Sequence, residues 1–105
     1  MATSSTQTSR TGEGVRIVYT GPAKADLDRI RDYLKERNPA AAKHLAALIR
    51  ARIKLLKTQP HMGRPVDERP GVRELVVQVY VLVYRVLDDK IEILRVWHGA
   101  QDRAP

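Results

Sequence analysis

The chain has 105 residues, of which 43% are hydrophobic and none is cysteine. This length allows one domain with a modest core, and the absence of cysteine excludes disulfides and thiolate-bound metals. It also fits a reducing cytoplasm, where we expect the protein to act, and no apolar run is long enough to span a membrane.

The first half of the chain predicts a disordered tail, one strand and the first of two helices. Residues 1–14 have no apolar centre and predict a disordered tail ahead of a single domain over residues 15–105. Residues 15–20, VRIVYT, alternate in polarity as a short strand does. Pro22 suits a first helical turn, and apolar residues at helical spacing predict a helix over residues 22–37.

A second helix is predicted from Pro39 to about Thr58, with Asn38 as its N-terminal cap. The short connection predicts an antiparallel helical hairpin. The second helix has an apolar face, which Leu48 and Leu55 widen on one side, and a basic face opposite. The apolar face comprises Ala42, Leu45, Ile49, Ile53 and Leu56, and the basic face comprises Lys43, Arg50, Lys54 and Lys57.

Arg52 falls inside the widened apolar arc of the second predicted helix. We favour a snorkelling side chain, or an ion pair with Asp28 or Asp32 of the first helix. The alternative is an arginine that binds a partner at the edge of the hairpin.

The second half of the chain predicts a loop and three strands. Residues 58–71 contain three prolines and two glycines, which predict a loop without regular structure. Turns are expected at Gln78–Val79, which lacks glycine, and at Asp88–Asp89. Stretches rich in Val, Leu, Ile and Tyr predict strands over residues 72–78, 80–87 and 90–97.

The order β-α-α-β-β-β predicts an α+β fold in which the helical hairpin covers one face of a small, mostly antiparallel sheet. Arg73, Arg85 and Arg95 alternate with apolar residues along the strands, and we expect them to line the open face. Such a face, both apolar and basic, indicates binding.

The net charge of +7 is unevenly distributed along the chain. Residues 22–58 hold ten Lys and Arg against four Asp and Glu, and no acidic residue lies between Glu36 and Asp67. A basic segment of this kind favours an acidic partner, either nucleic acid or an acidic protein segment. A solubilising basic surface is the alternative.

Motifs for common catalytic chemistry are absent from the sequence. There is no phosphate-binding glycine loop, no metal-ligand spacing among His44, His61 and His98, and no serine outside the N-terminal tail. We therefore expect no metal and no cofactor. Catalysis by positioned basic groups, or no catalysis at all, is what the residues allow.

Six segments of the chain form a specific pattern through their order and spacing. They read DLDRI, NPAAAKHL, LLKTQPHMGRPV, GVREL, YVLVYRV and IEILRVWHGAQD. Over roughly residues 16–103, this pattern resembles the RelE/ParE toxin superfamily of bacterial type II toxin–antitoxin systems. The resemblance implies a helical hairpin on a small sheet, in agreement with the element order.

The superfamily has two branches with different activities. One branch cleaves messenger RNA in the ribosomal A site with positively charged groups and, in some members, a histidine or glutamate. The other, ParE-like, blocks DNA gyrase and cleaves nothing itself. Many nucleases have an arginine directly after an aromatic residue that opens a strand, where this chain has Val81 after Tyr80. The resemblance therefore favours the ParE-like branch, with an mRNA endonuclease using Arg73, Arg85 and His98 as the alternative.

His98 in RVWHGAQD has two interpretations. We favour a strand-end corner in which Gly99 turns the chain and His98 bonds a backbone group or the carboxylate of Asp102. The alternative is a general base of the nuclease. The GRP segment at residues 63–65 is interpreted as a plain turn that Arg64 ties down.

The resemblance implies a toxin that inhibits DNA gyrase and replication, supports plasmid stabilisation and growth arrest, and is neutralised by a cognate antitoxin with an acidic and apolar tail. A degenerate member that only binds its antitoxin is a third hypothesis. No sequence-specific DNA binding is expected of the toxin alone. We expect antitoxin contacts at Leu48, Arg52 and Leu55, and target contacts at Arg73, Arg85, Arg95 and His98.

Overall fold

The computed structural model of the protein describes residues 15–99. The predicted tail over residues 1–14 and the predicted role of Asp102 lie outside the described residues. Within residues 15–99, neither helix is long and apolar enough to cross a membrane. In chain order the elements are β1 (Arg16–Tyr19), α1 (Gly21–Arg37), α2 (Pro39–Leu55), β2 (Arg64–Pro65), β3 (Val72–Val77), β4 (Tyr80–Val86) and β5 (Lys90–His98).

The strands form one mixed sheet in the order β1-β5-β4-β3-β2. β1 pairs with β5 in parallel, and the other neighbouring pairs are antiparallel. Both helices pack on one face of this sheet. The predicted α+β architecture, a helical hairpin on one face of a mostly antiparallel sheet, is confirmed.

The helix boundaries follow from their capping residues. Thr20 accepts a hydrogen bond from the backbone N–H of Ala23 and begins α1, with Pro22 in its first turn. Asn38 ends α1, and its side chain accepts from the N–H of Ala41 at 3.1 Å to begin α2. One residue therefore connects the two helices, which confirms the predicted hairpin.

The main core lies between the helices and the sheet. Ala23 of α1 and Leu45 of α2 pack against alternate residues of the strands, among them Tyr84 and Ile93, which have no exposed surface. A second, smaller apolar cluster lies on the opposite face, here called the back face. It comprises Val66, Val72, Val81, Val83, Leu94 and Trp97. Because β4 is covered on both faces, its sequence is a nearly continuous apolar run.

The sequence prediction missed one short strand and located one unusual turn. The loop predicted to lack regular structure contains β2, in which Arg64 and Pro65 pair with Glu74 and Arg73. Proline is tolerated there because β2 is an edge strand that does not need every N–H. The turn at Gln78–Val79 is confirmed, and Gln78 adopts a φ of 58°, in the left-handed region that glycine usually occupies.

Asp26 is a buried carboxylate that joins α1 to β5. It is 1% exposed, and its oxygens accept hydrogen bonds from Arg95 Nε at 2.8 Å and from the backbone N–H of Val96 at 2.9 Å. A third donor is Arg29 Nη2 at 2.9 Å. A buried charge of this kind is tolerated only when it is paired and hydrogen-bonded, as it is here.

The position of Asp26 follows from where β1 ends. Tyr19, the last residue of β1, pairs with Ile93, so β5 continues past that point without a strand on that side. The register of β5 against β4 also shifts there, because Arg95 faces Val83 and Ile93 faces Tyr84. The carboxylate of Asp26 supplies the acceptor that β1 no longer provides to β5.

Hydrogen bonding makes the folded state depend on the charge of Asp26. Burial alone would raise the pKa of Asp26, but hydrogen bonds from Arg95, Val96 and Arg29 outweigh burial and hold the pKa below the ordinary value of 3.8. Because the folded-state pKa is the lower one, this stabilisation is fully present above pH 3.8 and is lost as pH falls through the folded-state pKa.

We predict that Asp26→Asn lowers the free energy of unfolding by about 3 kcal/mol at neutral pH, because it breaks a buried ion pair. The difference from the wild type should shrink in acid, where Asp26 itself becomes protonated. Urea unfolding at several pH values measures both effects. Asp28→Asn is the matched control, since Asp28 is exposed on the same helix, and it should cost less than about 0.5 kcal/mol. Equal losses for the two variants would contradict the assigned role of Asp26.

Candidate functional site

The three residues expected to bind an antitoxin lie along one flank of α2. Leu48, Arg52 and Leu55 are spaced i, i+4 and i+7, so their side chains leave the helix on the same side. Leu48 is half-buried against the main core, and Leu55 is 43% exposed. This flank presents an apolar surface with one cation in the middle.

Arg52 does not make the ion pair suggested as one interpretation of its position. Asp28 and Asp32 instead lie 3.2 Å and 3.5 Å from the guanidinium nitrogens of Arg31. Among residues 15–99, Arg52 is half-buried and forms no ion pair. Its guanidinium is therefore able to meet a partner's carboxylate.

Arg73 is engaged by the loop that precedes β3. Its Nη1 donates to the carbonyl oxygen of Gly63 at 2.7 Å and to that of His61 at 3.3 Å. Strand alternation places Arg73 on the same face as Leu75 and Val77, which belong to the core under the helices. Arg73 therefore lies on the helix side of the sheet, although it was expected on the open face.

Arg85 lies on the back face, as the sequence predicts. Its Nε is 3.8 Å from Glu92 Oε1, which makes an ion pair but is too long for a hydrogen bond. This Nε is buried and has no hydrogen-bond partner. The side chain as a whole is 42% exposed, so the rest of its guanidinium reaches solvent.

Arg95 lies at the edge of the sheet, paired in the register with Val83 of the back-face cluster. Nε and Nη2 of Arg95 donate to the carboxylate of Asp26. Cζ of Arg95 lies 6.0 Å from the centre of the Trp97 ring. The side chain remains 47% exposed. Arg95 was expected to line the open face; its position in the register is on that face, while its guanidinium also binds a carboxylate of α1.

His98 ends β5 against an aromatic neighbour. Its ring meets that of Tyr80 edge-on, with centroids 5.4 Å apart and an interplanar angle of 79°. The backbone N–H of Gly99 donates to the carbonyl of Val79 at 2.7 Å, so the chain after His98 is tied to the β3–β4 turn. This geometry supports the strand-end corner.

The residues of the nuclease hypothesis are not brought together. In the sheet register Arg73 faces Tyr84 and His98 faces Tyr80, four residues apart on β4. At 3.3 Å per residue, they are separated by roughly 13 Å along the strand direction alone. Arg85 lies on the other face of the sheet. No single phosphate could contact all three in this arrangement.

Val81 is 3% exposed and packs with Val72 and Val83 in the back-face cluster. Nucleases of the superfamily often have an arginine where Val81 lies, as the resemblance implies. In this chain the position is part of an apolar core, so it supplies neither charge nor a hydrogen-bond donor.

Tyr84 anchors the loop around Gly63, a role that the sequence analysis missed. Its hydroxyl donates to the carbonyl of Pro60 at 2.8 Å and accepts from the N–H of Gly63 at 3.0 Å. Burial raises the pKa of Tyr84, so the hydroxyl stays protonated and able to donate. A Cβ at Gly63 would lie 2.6 Å from the carbonyl oxygen of Glu74 and 2.7 Å from the Tyr84 hydroxyl, which requires glycine there.

Comparison with known proteins identifies the family of this chain. The family model described as the ParE toxin of the type II toxin–antitoxin system parDE matches residues 17–103. The chain belongs to the ParE toxin family. It is therefore a toxin of a type II toxin–antitoxin system within the RelE/ParE superfamily.

Some relatives of this ParE-family toxin are named RelE and others are named ParE. Toxin RelE1 of Caulobacter vibrioides is 36% identical over 91 residues, covering 83% of this chain and 96% of the relative. Toxin ParE3 of the same organism is 31% identical over 91 residues, covering 85% of this chain and 91% of the relative. The structure titled the chromosomal ParDE toxin–antitoxin system from P. aeruginosa has a TM-score of 0.69 at 31% identity, covering 81% of this chain and 96% of that one.

We predict that Tyr84→Phe lowers the free energy of unfolding of this ParE-family toxin by about 2 kcal/mol, because it leaves the buried N–H of Gly63 without an acceptor. Thermal or urea unfolding measures the loss. Tyr33→Phe is the matched control, since Tyr33 is 52% exposed, and it should change stability by less than about 0.5 kcal/mol. A Tyr84→Phe protein as stable as the wild type would show that the anchor contributes nothing.

Proposed function

We propose that this toxin inhibits DNA gyrase by protein contact and so halts replication. The observation that carries the proposal is the separation of Arg73, Arg85 and His98, the residues on which RNA cleavage would depend. General acid–base chemistry needs its groups within hydrogen-bond reach of one reacting phosphate. The match to the ParE family over residues 17–103 supports the same choice.

The proposed target contacts are Arg73, Arg85, Arg95 and His98. Of these, Arg85 and Arg95 have side chains 42% and 47% exposed, so they are the most accessible to a large protein partner. Arg73 and His98 are engaged with the loop before β3 and with Tyr80. They contribute chiefly by fixing the surface around the contacts.

The alternative function is a ribosome-dependent mRNA endonuclease. Its support is the 36% identity to the relative named Toxin RelE1. This alternative requires Arg73, Arg85 and His98 to approach one phosphate, which demands a rearrangement of the sheet or contributions from ribosomal groups.

The proposed antitoxin contact uses the flank of α2 that contains Leu48, Arg52 and Leu55. A tail with leucines and carboxylates would cover the two leucines and pair with Arg52, which forms no ion pair among residues 15–99. Burial of Leu55, now 43% exposed, would add hydrophobic stabilisation to the complex.

Incubation of the purified toxin with gyrase, ATP and relaxed plasmid tests the target. We expect loss of supercoiling and release of linear DNA after protein digestion, because trapped gyrase–DNA complexes hold broken strands. Addition of the cognate antitoxin in equimolar amount should restore supercoiling and provides the control.

Primer extension on mRNA in a translation extract tests the alternative in parallel. Unaffected gyrase at large toxin excess, together with mRNA cut at the ribosomal A site, would overturn the gyrase proposal. Activity in neither assay would leave a toxin-like protein that only binds its antitoxin.

Leu48→Glu should weaken antitoxin binding at least about tenfold, because it places a charge in an apolar contact. Calorimetric titration of the toxin with its antitoxin measures the change. Lys43→Glu, an exposed position elsewhere on α2, is the matched control and should change affinity far less. Intact binding by Leu48→Glu would remove this flank from the interface.

A further inference from the structure

A cavity of about 190 Å³ lies between the two helices of the hairpin. Its aliphatic wall comprises Leu27, Ile30 and Leu34 of α1 and Leu45 and Ile49 of α2. Two alanines of α2, Ala42 and Ala46, also line the cavity, and their short side chains leave the space open. An apolar cavity of roughly 150 Å³ is large enough to bind benzene, so a single aromatic ring fits inside the hairpin.

Two arginines line this cavity, and their charges are compensated differently. The guanidinium nitrogens of Arg31 lie 3.2 Å from Asp28 and 3.5 Å from Asp32. Arg50 forms no ion pair within residues 15–99, and no carboxylate from those residues lines the cavity. A ligand in the cavity therefore meets one uncompensated positive charge.

The hydroxyl of Tyr19 is a further polar group of the cavity. Burial raises the pKa of this hydroxyl, and the nearby charge of Arg50 offsets part of the rise, so the group stays protonated at neutral pH. In the part of the chain that the structure describes, this hydroxyl has no hydrogen-bond partner. The cavity therefore combines an apolar interior with a neutral donor and a cation that lie near each other.

We propose that this cavity binds a small aromatic carboxylate, with its ring between α1 and α2 and its carboxylate at Tyr19 and Arg50. The ring covers the aliphatic wall and removes it from water, which supplies most of the affinity. The Tyr19 hydroxyl donates a hydrogen bond to the carboxylate, and the guanidinium of Arg50 pairs with the same group. An apolar interior with a few convergent polar groups is typical of small-molecule sites.

The lining residues favour a monovalent aromatic acid over other small ligands. A cation would be repelled by Arg50, and a neutral ring would leave that charge unpaired. A phosphate ester carries about two negative charges near neutral pH. Within residues 15–99 the cavity offers such an ester one unpaired cation, because Arg31 already has its carboxylates. The inference goes beyond the proposed function, because it concerns the interior of the hairpin and does not depend on the identity of the target.

Titration of the isotope-labelled full-length toxin with phenylacetate, followed by two-dimensional NMR, tests the proposal. We expect saturable shifts centred on Tyr19 and the facing sides of α1 and α2, with a Kd of about 1 mM or tighter for a ligand of this size. Phenylacetamide has the same shape without the charge. It should bind at least about fivefold more weakly, because it does not form the ion pair with Arg50.

A pair of arginine variants tests the charge in the cavity. Arg50→Gln should weaken phenylacetate binding at least about fivefold, since it removes the unpaired cation. Arg52→Gln is the matched control, because Arg52 also forms no ion pair among residues 15–99 and does not line the cavity. It should alter the affinity less than about twofold.

A pair of alanine variants tests the space between the helices. Ala46→Met fills the cavity with a flexible side chain and should weaken binding at least about tenfold. Ala47→Met adds the same side chain at an exposed neighbouring position and should leave binding unchanged. Tyr19→Phe keeps the shape of the cavity and removes the hydroxyl, so a loss of about threefold is expected even if Ala46→Met does not fold.

The proposal is wrong if phenylacetate produces no saturable shifts, or if the shifts lie outside the hairpin. Equal losses from Arg50→Gln and Arg52→Gln would show general charge attraction. Equal affinities for phenylacetate and phenylacetamide would exclude the ion pair. Unchanged binding by a folded Ala46→Met protein would place the ligand outside the cavity. Because gyrase is absent from this assay, its outcome is separate from that of the supercoiling assay.

Discussion

The carboxylate of Asp26 joins the two layers of this protein at the edge of the sheet where β1 ends. It connects α1 to β5 where β1 has ended, and it fixes both the backbone of Val96 and the guanidinium of Arg95. The packing of the helices on the sheet near this edge depends on that carboxylate remaining charged. A buried ion pair is a costly way to gain stability, and here the donors to Asp26 come from both α1 and β5, so the carboxylate connects the two elements directly.

The regular elements of the fold were predictable because local rules decide them. Pro22, Asn38 and Pro39 mark the helix ends by the geometry of capping, and the alternation of apolar residues marks the strands. The turn at Gln78 was located despite its unusual φ, because the flanking strands leave no other place for it. β2 was missed, since two residues that include a proline have no pattern of their own.

The surroundings of the charged residues were harder to predict. Arg73 and Arg95 look equivalent to Arg85 in the sequence, yet Arg73 lies on the helix side and binds a loop carbonyl, and the guanidinium of Arg95 binds a helix carboxylate at the sheet edge. The sequence did indicate that Asp26 is buried, because Asp26 lies on the same face of the helix as Ala23 and Ile30. These contacts are made with residues distant in the sequence, and local periodicity does not indicate them. The candidate binding residues on α2 were found because helical spacing alone groups them.

The parallel pairing of β1 with β5 also bears on how the chain is made. Arg16 pairs with Lys90, so the first strand of the described residues has as its partner the last strand of those residues, which is synthesised after all the others. The helical hairpin can form early from contacts close in sequence, but the sheet edge must wait until β5 has been synthesised. A nascent or truncated chain that lacks β5 therefore cannot display the finished surface of the toxin. The topology itself delays completion of the folded sheet until β5 has been synthesised.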